Sequence, residues 1–158
     1  MPDQTPVQVA WVTRDLDATE KALSTLLGAK KWVRMPDVHF GPDACTFHGR
    51  PADFVAAISL SYAGDMQLEV IAPVNGDSIY TEFLATAGPG LHHVCVEAAS
   101  AEEFDAVCRD AERHGAPVVQ RGLMPGGMEF AYLSAEGAGV PYIEIAQIPP
   151  EIGRSSST

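Results

Sequence analysis

Cysteine is scarce and unpaired in this chain: Cys45, Cys95 and Cys108 are odd in number, scattered, and without a CxxC spacing. That excludes a disulfide framework and a thiolate-based structural zinc site, and points to reduced thiols in a cytoplasmic protein. Positive charge is thin as well, with 10 Lys and Arg against 21 Asp and Glu and a formal net charge of -11. Nucleic-acid phosphates and anionic membrane surfaces are therefore excluded as partners, which leaves a small molecule. No apolar run approaches the ~20 residues of a membrane span. Met1 to Pro6 also lacks the basic start and apolar stretch of a signal peptide. A hydrophobic content of 46% with 20% charged residues rules out disorder and fibre, and 158 residues suffice for one domain with a sizeable core.

What the chain does carry is a duplication. Val7-Gln8-Val9-Ala10-Trp11-Val12 aligns with His92-His93-Val94-Cys95-Val96, and Leu68-Glu69-Val70-Ile71-Ala72-Pro73 aligns with Ile143-Glu144-Ile145-Ala146-Gln147-Ile148. A repeat of this size governs the architecture and is sought before any other feature. Each half opens on a short apolar strand. In the first, Asp17 with Glu20 has the spacing of a helix capping box, Leu23, Leu26 and Leu27 give an apolar face, and Gly28 supplies a stop. In the second, Ser100 with Glu103, the face Phe104-Val107-Cys108-Ala111, and His114-Gly115 repeat that grammar. Strand-like segments follow at Lys31 to Val33, Phe54 to Tyr62 and Gln67 to Ala72. Their counterparts are Val118 to Gln120, Met128 to Ser134 and Pro141 to Ile148.

The reading is an α+β fold of two βαβββ modules forming one curved mixed sheet around a central cavity. The first module covers 1–72, a linker with a short helix over Ile79, Phe83 and Leu84 covers 73–90, and the second module covers 91–148. A small, polar tail takes 149–158, so the single domain runs over about 7–148. The first half is the longer, and the stretch from Met35 to Pro51, containing Pro, Asp and Gly, is assigned as a surface loop.

Alternate side chains of a strand face one way. Gln8, Glu69, His93 and Glu144, two from each half at equivalent places, would converge on the floor of a cup if the sheet curls. One imidazole, two carboxylates and an amide oxygen suit a divalent Zn, Ni, Co or Mn ion in octahedral geometry, with two positions free for water or substrate. Singly, a strand Glu is most often solvated and a His pair most often a hydrogen-bonded strand end. Their coincidence across the repeat shifts the balance to a metal site. Cys95, Phe130, Tyr132 and Tyr142 are candidate pocket residues, whereas Trp11 is expected on the opposite face. The loop Gly122 to Met128, with its glycines and two methionines, reads as a hairpin connection or a lid over an apolar ligand. His39 and His48 sit on the extra loop within reach of the rim, Arg14 serves its turn, and Arg121 is a candidate for an anionic substrate group.

Arg14-Asp15-Leu16-Asp17 after the first strand, and Gly90-Leu91-His92-His93-Val94 opening the second module, resemble the vicinal oxygen chelate (glyoxalase/bleomycin resistance/dioxygenase) superfamily. Glu69-Val70-Ile71-Ala72-Pro73, Gly76-Asp77-Ser78 and Phe83-Leu84 are similar to methylmalonyl-CoA epimerase and its glyoxalase-like relatives. The resemblance implies metal ligands at Gln8, Glu69, His93 and Glu144, and a homodimer. It implies an isomerase, epimerase or lyase that abstracts a proton next to a carbonyl of a 2-oxo, 2-hydroxy or acyl-thioester substrate, through an enediolate held by the metal. Glu144 is the expected base and Glu69 the second choice. The ligand order Gln, Glu, His, Glu is similar to that of glyoxalase I, yet Val12 and Pro73 stand where that enzyme carries Arg and Asn. The alternatives are a glyoxalase I-like lyase and a metal-free, resistance-type binding protein. An extradiol dioxygenase would need a second histidine where Gln8 stands.

Overall fold

Residues 4–147 are described by a computed structural model; the tail over 149–158 lies outside them. Short runs of β-branched and aromatic residues alternate with two amphipathic segments, and the chain folds accordingly. The strands are β1 (Pro6–Val12), β2 (Val33–Phe40), β3 (Cys45–Phe47), β4 (Arg50–Pro51), β5 (Phe54–Ala63), β6 (Met66–Asn75), β7 (Gly90–Glu97), β8 (Val118–Leu123), β9 (Glu129–Ser134) and β10 (Tyr142–Gln147). The helices are α1 (Leu16–Leu27), α2 (Ile79–Thr86) and α3 (Ala101–Arg113). The ten strands of the described residues form one curled mixed sheet in the order β2-β5-β6-β1-β7-β10-β9-β8-β3-β4.

The duplication is visible in the pairing. β1 runs parallel to β6 and β7 parallel to β10, while β1 and β7 join the two halves antiparallel at the centre. Helices α1 and α3 lie on the convex face. There Phe104, Val107, Cys108 and Ala111 of α3 pack on Val96, Ala131, Leu133 and Ile145. The linker helix α2 does something different: Ile79, Tyr80, Phe83 and Leu84 enter the concave side and share a core with Val12, Phe40, Phe54, Ile71, Phe130 and Tyr132. Its start is fixed by Ser78, whose hydroxyl accepts from the Tyr80 and Thr81 amides.

Several local expectations are corrected. The cap of α1 is Asp15, which accepts from the Ala18 amide, and Asp17 and Glu20 instead hold Arg34. An N-cap must precede the first helical turn, and Asp17 already lies within it. Of the leucine face only Leu23 is buried; Leu26 is 77% exposed, because α1 meets the sheet along a narrow stripe. The stretch assigned as a loop carries most of β2 and all of β3 and β4. β3 pairs with β8 in the other half, so the chain leaves β2 near one margin of the sheet and reappears near the opposite one. From Phe40 to Cys45 the backbone can span at most about 18 Å. That short connection forces the sheet to curl, and Phe40 closes the seam by stacking on Phe54 and meeting Phe130 edge-on.

Candidate metal centre

The registers place the site in two rows across the concave face. One runs Gln67 (β6), Gln8 (β1), Cys95 (β7), Glu144 (β10), Tyr132 (β9) and Gln120 (β8). The next runs Leu60 (β5), Glu69 (β6), Ala10 (β1), His93 (β7) and Tyr142 (β10). Ala10, fully buried between Glu69 and His93, leaves space where a larger side chain would fill the centre. Across these rows His93 Nε2 lies 3.3 Å from an oxygen of Glu69, 3.3 Å from one of Glu144, and 3.4 Å from Gln8 Oε1. Ligand atoms about 2.1 Å from a divalent ion sit about 3.0–3.4 Å from each other in octahedral or tetrahedral geometry. The observed separations fit, and Glu69, His93 and Glu144 could hold such an ion, with the Gln8 amide oxygen placed to add a fourth donor.

Orientation is set by neighbours. Gln8 Nε2 donates to Gln67 Oε1 at 2.7 Å, which turns the Gln8 amide oxygen toward His93, and Gln67 in turn donates to the Tyr62 hydroxyl. The pairing of β1 with β7 slips between Ala10 and Trp11, leaving His92 as an extra residue with no partner across the ladder. A bulge re-aims side chains, and here it brings the His92 and His93 rings together with their Nδ1 atoms 2.8 Å apart. With His93 Nε2 given to a metal, its Nδ1 must carry the proton and donate to His92. His92 then holds its own proton on Nε2, an atom with no hydrogen-bond partner among the described residues, enclosed by the rings of Tyr80, Phe83, Tyr132 and Tyr142. Burial pushes His92 well below the usual imidazole range, and its neighbour His93 pushes the same way, so it stays neutral.

Without a metal, burial pulls His93 down, but Glu144 and Glu69 outweigh it and raise its pKa to about 9. Burial raises Glu69 despite the opposing pull of His93. A proton on His93 Nε2 would thus sit buried between Glu69 and Glu144, a costly construction that a dication would relieve. Cys95 is raised well above the thiol range, first by burial and then by Glu144, so it stands beside the centre as a neutral thiol.

A cavity of about 320 Å³ opens over these groups, and Gln8, Glu69, Glu144, Cys95, Phe130 and Tyr132 line it. Met124 and Met128 reach it from the β8–β9 connection, a tight hairpin in which the Met124 amide donates to Met128 and the Gly127 amide to Met124. Tyr142 does not line the cavity: it lies at the closed end of its row, packed on His92, and borders a separate depression with His48. Arg121 is not available to an anion in the cup, because it points to the convex face, bonded to Asp105 and Glu129 and lying over Phe104. His39 and His48 also stay outside, paired with Asp53 and Glu82. Arg14 donates to the Leu84 carbonyl and anchors the end of α2.

Sequence reasoning missed Tyr80, which lines the cavity and holds its hydroxyl 2.7 Å from that of Tyr132. Its only signal was a tyrosine within the apolar face of the linker helix. Gln67 left no more than the weak mark of a glutamine two positions before Glu69.

A curled sheet of two βαβββ halves, with a buried oxygen- and nitrogen-donor cluster on its floor, defines a two-module fold carrying a candidate metal centre. The sequence profile of the Glyoxalase/Bleomycin resistance protein/Dioxygenase superfamily matches residues 7–132, and the chain belongs to this superfamily. Among solved structures it is similar to methylmalonyl-CoA epimerase from Mycobacterium tuberculosis, at 19% identity, covering 96% of this chain and 95% of that one, with a TM-score of 0.62. A hypothetical protein from Bacillus halodurans C-125 is similar at 14% identity, covering 94% and 96%, with a TM-score of 0.65. A variant of Streptomyces coelicolor methylmalonyl-CoA epimerase in complex with 2-nitronate-propionyl-CoA is similar at 18% identity, covering 92% and 99%, with a TM-score of 0.58. At these identities the likeness speaks for the fold. A sequence search of curated proteins returns no match. No helix among the described residues is long and apolar enough to cross a membrane.

Proposed function

We propose that this protein is a metal-dependent isomerase of the epimerase type, or a lyase, that moves a proton at a carbon next to a carbonyl. The observation that carries this reading is the convergence of Glu69, His93 and Glu144, all buried, with ligand atoms within 4.8 Å of one another beneath a cavity. Gln8, Glu69, His93 and Glu144 would hold the divalent ion. When bound, the ion supplies Lewis acidity, lowering the cost of negative charge on a carbonyl oxygen by several kcal/mol.

The remaining work falls to the chain. Glu144 is the proposed base: it lies on the cavity row between Cys95 and Tyr132, and its carboxylate takes the proton from the carbon acid and returns it. Glu69 is the second choice. The Tyr80–Tyr132 pair holds two phenols together, so one O–H donates within the pair and the other remains to orient a substrate oxygen. Burial keeps both phenols neutral, as this role needs. Gln8 and His93 position the ion and move no proton. The apolar wall of Phe40, Ile58 and Phe130 excludes water from the reacting carbon.

The test joins metal analysis to NMR. Protein purified without added metal is expected to contain, or take up, one divalent ion per chain, and to exchange the carbon-bound proton of a 2-hydroxy or 2-oxo compound with deuterated solvent. Glu144→Gln is expected to lower exchange by at least 10²-fold while the protein keeps its ion. Full exchange in Glu144→Gln would move the base to Glu69; a protein that binds no divalent ion would defeat the reading altogether.

A further inference from the structure

The cavity is built for a substrate of particular charge. Among the described residues no Lys or Arg lines it, while Asp65, Glu69, Glu97 and Glu144 all do. Glu69 and Glu144 balance a dication, and His93 is neutral when it serves as a ligand. Asp65 and Glu97, both exposed, then leave the approach to the centre negative. The cations that come nearest in sequence are committed elsewhere: Arg14 to the Leu84 carbonyl, Arg34 to Asp17 and Glu20, Arg121 to the convex face. Much of the remaining lining is apolar, with Phe40, Ile58, Met124, Met128 and Phe130. Methionine thioethers adapt to irregular apolar shapes. A volume of about 320 Å³ lies at the small end of the range for ligand pockets.

We infer that, beyond its metal-chelating oxygens, the substrate is an uncharged, apolar body small enough to be enclosed by this cup. Carboxylate- or phosphate-bearing tails, coenzyme A included, are disfavoured because they would pass Asp65 and Glu97 with no cation to receive them. This rests on the proposed metal-assisted chemistry for the chelating end only; the charge preference belongs to the cavity and holds with or without an ion.

The experiment compares three probes with one chelating head: 2-hydroxyacetophenone, its 4-carboxamide and its 4-carboxylate. The carboxamide matches the carboxylate in size, so the pair isolates charge. Dissociation constants are measured by calorimetry on metal-loaded and on chelator-treated protein at low salt. The carboxylate is expected to bind at least tenfold more weakly than the carboxamide in both forms. An Asp65→Asn, Glu97→Gln double variant is expected to narrow that gap by at least threefold. Equal or tighter binding of the carboxylate, a gap unchanged in the double variant, or no binding by any probe overturns the inference. Failure to bind a metal, read separately by elemental analysis, overturns the proposed chemistry and leaves the charge contrast still measurable.

Discussion

At the residue scale, the proposed centre depends on side chains that would not touch the ion. Gln67 fixes which end of the Gln8 amide faces His93, and His92 fixes which nitrogen of His93 carries the proton. Neighbours of this kind are worth roughly 10–100-fold in metal affinity. Gln67→Leu is therefore expected to weaken binding of the divalent ion by about tenfold, with little change in the far-UV circular dichroism of the metal-free protein. His92→Phe fills similar space among Tyr80, Phe83 and Tyr142 but accepts no hydrogen bond, and the same loss is expected. His92→Gln, which can still accept from His93 Nδ1, is expected to recover part of it. Competition with a metallochromic chelator measures all three. Equal affinities in the native protein and His92→Phe would show that the bulge only shapes the strand.

At the element scale, the seam between β3 and β8 is the feature that turns a sheet into a cup. Gly122 makes it possible: a Cβ there would lie 2.7 Å from the Ala44 carbonyl oxygen and 3.1 Å from Cys45 Cα. Gly122→Ala must push β3 away from β8, and overpacking of this sort costs about 1–3 kcal/mol. The expected outcome is a lower midpoint in urea together with weaker binding of cavity ligands, because the seam and the Met124 hairpin share β8. The repeat made most of this architecture legible. Strands β1, β6, β7 and β10 follow from aligned apolar runs, and alternation along them places Gln8, Glu69, His93 and Glu144 on one face. The seam was not legible, because β3 has three residues and pairs with a strand far along the chain. No local pattern announces such a partner. Tyr142 misled for a related reason: alternation gives its face but not its depth along the cup. The linker helix α2 was readable as a helix from Ser78 and its apolar residues, yet nothing local showed that it enters the concave side.

At the scale of the whole molecule, the proposed centre makes folding respond differently to pH with and without an ion. In the metal-free protein, His93 has a pKa of about 9, raised above the ordinary imidazole value because Glu144 and Glu69 outweigh burial. Such a group adds stability that is fully present below its unfolded value of about 6.5 and is lost as pH rises through about 9. Glu69, also raised, acts in the same direction. The metal-free protein is therefore expected to become less stable from pH 6.5 to 9. Metal binding requires His93 to give up its proton, so apparent affinity rises by up to tenfold per pH unit below the His93 pKa, about 1.4 kcal/mol per unit. An ion that binds only the folded chain transfers that gain to stability. Thermal melts with zinc and with a chelator should consequently diverge as pH is raised across this interval. The zinc-loaded curve should hold or climb while the chelated curve falls. Parallel curves would mean that His93 does not exchange a proton for the ion. Convergence toward alkaline pH would mean that the buried imidazolium, rather than the metal, is what the two carboxylates are built to hold.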